Sequence, residues 1–256
     1  MNRLTKFFRS ISVLAILIAS MGVVVPVTVN ALATPKESAF CTNLSTTASK
    51  VTTSIANLTA KLTTARQQED QKVAADRQKW DQEITTDRAK WDKQRQDNFT
   101  KLEARATTDA QKAAVKTYEG TIIQAVTVRR AANDSARLTF RNGVDAARAA
   151  RRSLVDGQVA TFTASANAAI ATAQASCATD SSAKGGPAIR EKFVSDLKAA
   201  RTTFQDARKN DDKIGDQVKQ LAQTRDAAFK ANDTAFEATA KTARDTLKTA
   251  FGSTSI

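Results

Sequence analysis

No histidine occurs in this chain of 256 residues, and it has only two cysteines, three prolines, eight glycines, two tryptophans and one tyrosine. Without an imidazole, Ser-His-Asp and Cys-His nucleophile systems and most catalytic zinc sites are excluded. The scarcity of proline and aromatic residues, together with the absence of alternating apolar and polar runs, argues against the sheet classes and for long helix. Serine–lysine chemistry fares no better: Ser181-x-x-Lys184 and Ser195-x-x-Lys198 have the S-x-x-K spacing, yet no S-D-N or K-T-G segment follows either. Carboxylates are plentiful, but glycoside hydrolysis needs an acid pair fixed across a cleft, which slim helices do not build. The composition therefore points to a non-enzymatic protein that uses no cofactor, no metal and no small-molecule substrate.

What is present begins with an address. The opening MNRLTKFFRS carries three bases and no acid, a long apolar run follows, and Ala31-Leu32-Ala33 forms an A-x-A site ahead of Thr34-Pro35. This is the grammar of a secretory signal peptide over residues 1–33, giving a mature chain from about Thr34. The expected location is outside the cytoplasm, either secreted or at the cell surface or periplasm; an uncleaved N-terminal membrane anchor is the alternative. In an exported chain, an even cysteine count predicts a disulfide between Cys41 and Cys177.

Beyond a short segment at 34–43, apolar residues such as Val51, Ile55, Leu58, Leu62, Val73, Trp80, Ile84 and Trp91 recur every three or four positions, the helical period. Within this stretch the motif DRxKWD appears twice, eleven residues apart. Eleven residues make almost three full helical turns, so Trp80 and Trp91 fall on one stripe with Ile84 between them. We read the repeat as a packing device, with Arg77 and Arg88 lying over the indoles three positions on.

A capping box, Thr108-x-x-Gln111, predicts a turn near 107–109, and the midpoint of Cys41 and Cys177 also falls on residue 109. Together they predict an antiparallel helical hairpin over 44–177. A Gly185-Gly186-Pro187 loop within 178–187, a third helix over 188–251 and a tail at 252–256 complete the chain. The expected fold is all-α: an elongated antiparallel hairpin or three-helix coiled-coil bundle. Breaks at Gly143, Gly157 or 208–212 would give a four- or five-helix version instead.

The second helix carries an arginine stripe. Arg130, Arg137, Arg141, Arg148 and Arg152 advance by seven and four residues and fall within roughly 60° of one face. Such a stripe suits the phosphates of a polyanion. It also faces Asp70, Asp81 and Asp92, spaced by eleven on the first helix, and folding about residue 109 pairs Arg148 with Asp70 and Arg137 with Asp81. Sequons stand at Asn43, Asn57, Asn98, Asn133 and Asn232, a pattern that threonine-rich chains produce readily.

The sequence thus predicts an exported coiled-coil spacer, scaffold or adhesion rod that engages a protein partner or its own copies through helical faces. The alternative is an extracytoplasmic binder of nucleic acid, anionic wall polymer or lipid head groups through the arginine stripe.

Overall fold

A computed structural model describes residues 38–209 and 214–252, and the expected signal segment 1–33 lies outside the described residues. The described residues are almost all helical, with no strand among them: α1 is Ala39–Arg105, α2 Asp109–Thr179, α3 Gly185–Lys209 and α4 Ile214–Phe251. None of these helices is long and apolar enough to cross a membrane. The all-α bundle expected from the apolar period is therefore present, with some boundaries moved.

The first helix begins at Ala39, five residues before the expected start of the hairpin at 44. The start of α2 is closed by the capping box: the Gln111 backbone amide donates to Thr108 Oγ1, and Gln111 Oε1 accepts from the Thr107 and Thr108 amides. These bonds satisfy donors that a helix start leaves without intrahelical partners. Gly185-Gly186-Pro187, expected as loop, instead forms the first turn of α3. Proline fits there because its preset φ is helical and the missing N–H would have had no intrahelical partner. Gly186 is needed for a different reason: a Cβ there would come within 1.7 Å of Ser38 Oγ. The expected single helix over 188–251 is two helices, α3 ending at Lys209 and α4 starting at Ile214, close to the expected break at 208–212.

The described residues divide into two compact units, one formed by 38–71 with 150–209, the other by 72–149 with 214–252. Each is a packing of three helices. In the first unit, Leu44, Ala48 and Val51 of α1 meet Ala166, Ala169, Ile170 and Ala173 of α2 and Phe193 of α3. The alanines on α2 remove the side-chain bulk that would hold the helices apart, and Cys41 and Cys177 close this unit as a disulfide with Cα atoms 5.5 Å apart. In the second unit, Phe99 of α1, Ile122 and Val126 of α2 and Ala240 of α4 form one cluster, and Val115, Ala106 and Leu247 form another beside the turn. Each large apolar side chain so buried contributes about 1.5–3 kcal/mol.

The tryptophan stripe holds only in part. Trp80 is half-buried, with the guanidiniums of Arg141 and Arg225 at 5.8 and 5.9 Å from its ring, whereas Trp91 is 58 % exposed. Trp91 therefore does not pack as its place in the repeat suggests. One eleven-residue step along α4 from Arg225 stands Phe236, which packs against the Phe99–Ile122 cluster. Nor do Arg77 and Arg88 lie over the indoles; both reach across to α2.

Candidate functional site: an ion-pair ladder and an uncharged face

Both copies of DRxKWD place an arginine and an aspartate four residues apart on α1, and α2 offers the complement at the same spacing. In the first unit, Arg66 bonds Asp156 at 2.8 Å, and Arg152 grips Asp70 at 2.9 and 2.8 Å with Glu69 at 3.0 Å. In the second unit, four bidentate pairs follow: Arg77–Asp145 at 2.9 and 2.8 Å, Arg141–Asp81 at 2.9 and 2.6 Å, Arg88–Asp134 at 3.0 and 2.6 Å, and Arg130–Asp92 at 2.9 and 2.7 Å. Arginine donors alternate between the helices. Fork-to-carboxylate geometry of this kind fixes orientation as well as charge.

All six pairs obey one register, their residue numbers summing to 222, and this corrects the expected partners. Asp70 takes Arg152 rather than Arg148, and Asp81 takes Arg141 rather than Arg137. The disulfide sums to 218, so the two registers differ by one helical turn. The tilt of Cα–Cβ bonds toward each helix's N-terminus accounts for this difference. In an antiparallel pair, long side chains lean past one another and meet at higher summed numbers than short ones do.

The remaining members of the arginine stripe are held on their own helix. Arg137 bonds Asp134 at 2.9 Å and Arg148 lies 3.7 Å from Asp145, so each aspartate bridges an arginine of α1 and one of α2. All five stripe arginines thus have acidic partners, and their side chains are only 13–27 % exposed. The hydrogen bond from Arg130, helped by Arg95, holds Asp92 at about 2. Arg141 and Arg88 likewise hold Asp81 and Asp134 below the ordinary carboxylate range, chiefly through hydrogen bonds. Asp70 pushes Arg152 up, while burial lowers Arg137.

Sequence reasoning found the arginines of α2 and the aspartates of α1 but missed the reversed rungs, Arg66, Arg77 and Arg88 with Asp156, Asp145 and Asp134. The same eleven-residue spacing was visible in both sets. It also missed Arg225, which is 4 % exposed, bonds Asp226 at 2.7 Å and lies 4.5 Å from the ring centre of Phe140 and 5.8 Å from that of Phe229. A flexible cation in the middle of an amphipathic helix gives no local sign of such a cage.

The ladder gathers charge on one side of α2. Its fourteen charged residues occupy about half the helix circumference, and none follows Asp156. The opposite side is exposed and uncharged. In the second unit it presents Ala113, Thr117, Gln124, Val128, Ala131, Ser135, Thr139 and Ala146; in the first, Ser153, Gly157, Ala160, Ala164, Ala168 and Ala175. Val128 is 62 % exposed. A groove of about 510 Å³ borders this face between α2 and α4 of the second unit, lined by Thr117, Tyr118, Thr121, Thr239, Thr242 and Leu247 among others. The hydroxyls of Thr117, Thr121, Thr239 and Thr242 donate to carbonyls of their own helices. The groove therefore presents chiefly small, uncharged side chains.

Two sequon asparagines, Asn133 and Asn232, are bonded to each other at 2.8 Å between α2 and α4. No family model, no curated protein and no solved structure matches the chain.

Proposed function

We propose that this is a non-enzymatic, exported helical scaffold that engages a helical partner, or its own copies, through the uncharged outer face of α2. The carrying observation is the division of α2 between a side that holds all of its charges, most of them in ion pairs, and an exposed side with no charge. An exposed helix face normally carries Lys and Glu, which keep it solvated. A line of Ala, Gly, Ser and Thr instead lets a second helix approach closely, as in tightly packed helical interfaces. The disulfide supports export, because such bonds persist in oxidising compartments.

Polyanion binding through the arginine stripe has less support, because each guanidinium of the stripe already has a carboxylate partner. Sedimentation equilibrium of the mature, disulfide-bonded protein tests the scaffold reading. Concentration-dependent association, lost in a Val128→Glu/Ala146→Glu variant of unchanged helicity, supports it. A protein that stays monomeric and binds an anionic polymer with a steep salt dependence, lost when Arg130, Arg141 and Arg152 become Gln, rejects it in favour of the arginine stripe.

A further inference from the structure

Continuing the ladder by one eleven-residue step beyond Asp92–Arg130 gives Glu103 and Glu119, two acids where every other rung has an acid and a base. Their numbers also sum to 222. This rung lies beside the capped turn, where Leu102, Val115 and Tyr118 pack with Leu247 and Phe251 of α4. Glu119 Oε1 is shielded from solvent and accepts no hydrogen bond. The charges acting on Glu119 are Glu103 from α1 and Lys116 one turn away on its own helix, while α4 brings apolar side chains to this layer.

We propose that Glu103 and Glu119 form a pH-sensitive clasp beside the α1–α2 turn, held apart when both carboxylates are charged and drawn together when they share one proton. The proton comes from solvent, sits on Glu119 and is donated in a hydrogen bond to the Glu103 carboxylate, which gives the shielded oxygen its missing partner. Burial, and then the Glu103 charge, push Glu119 above the ordinary glutamate value. The aspartates of the neighbouring rungs behave oppositely, Asp92 being held at about 2. Acidification therefore reaches the clasp before it reaches the aspartates of the ladder.

The sign follows from linkage. A carboxyl raised in the folded state favours folding below its unfolded value, and that contribution is lost as pH rises through the folded value. Carboxyl-carbon NMR of the full, disulfide-bonded chain, with thermal melting from about pH 7 to about pH 4, reads both ends of this statement. Glu119 is expected to titrate above the ordinary range and to move back toward it in Glu103→Gln. The Glu119→Gln variant is expected to melt higher than the parent at about pH 7, with the gap closing as the solution is acidified. A Glu119 midpoint that is ordinary, or that Glu103→Gln leaves unmoved, overturns the clasp, as does a Glu119→Gln variant that melts lower than the parent at neutral pH.

Discussion

The two units bring α1 and α2 together by different means. In the first, two ion-pair rungs, Arg66–Asp156 and Arg152–Asp70, give way to short side chains: Ala48, Ala166, Ala169 and Ala173 leave room for Leu44 and Phe193, the α2 sequence after Asp156 has no charge, and a disulfide ties Cys41 to Cys177. In the second, long side chains do it: four bidentate Arg–Asp pairs bridge the helices, Arg225 fills the space among Trp80, Phe140 and Phe229, and a hydrogen-bonded cap closes the end. Small residues and extended charged ones are thus alternative ways of filling one helix interface, and α2 uses each in turn.

Several substitutions break this comparison at its strongest points. Changing Cys41 and Cys177 together to Ser opens a link across a sequence separation of 136 residues and is expected to cost about 2–5 kcal/mol. Hydrogen exchange checks it: protection is expected to fall in residues 39–71 and 150–179, with 72–105 retained. Uniform loss across both units contradicts this localised effect. In the second unit, Arg225→Ala empties the aromatic cage and leaves Asp226 without its partner, at an expected cost of about 2–4 kcal/mol in denaturant unfolding. A loss below about 0.5 kcal/mol would show that the cage closes on itself.

Gly143 sharpens the contrast, because a Cβ there would stand 2.7 Å from Leu221 Cδ2. Gly143→Val is expected to destabilise by about 1–3 kcal/mol through overpacking, and Leu221→Ala in the same chain to recover part of that loss. The absence of recovery in thermal melting would assign the effect to backbone propensity instead.

The smallest effect is expected from a single rung. A double-mutant cycle on Asp92 and Arg130 should give a coupling of about 0.2–1 kcal/mol that shrinks with added salt, since both side chains stand partly in water. Because Arg130 holds Asp92 at about 2, the contribution is present above the unfolded value of 3.8 and is lost as pH falls through about 2. A coupling that persists unchanged in strong salt and below about pH 2 contradicts the ion-pair assignment.

Much of this was legible in the chain. The helical period, the Thr108–Gln111 cap and the eleven-residue spacing of Asp70, Asp81 and Asp92 follow from rules that act within a few turns of one helix. The partner register was less accessible. Cys41 and Cys177 suggested a sum of 218, but arginine and aspartate meet one turn further on because of their reach and tilt. Trp91 was misplaced for a related reason: its own helix says which face it occupies, while the helix opposite decides whether that face is covered.

The sequence by itself determined the all-α class, the reversal between α1 and α2 and the eleven-residue repeat, because periodicity and capping are local properties of the backbone. Only the tertiary structure decided that Arg152 and not Arg148 holds Asp70, that Arg225 is caged, and that the outer face of α2 stays bare. Those outcomes depend on side-chain length and on which helix lies opposite, and neither is encoded in the spacing of residues along a single helix.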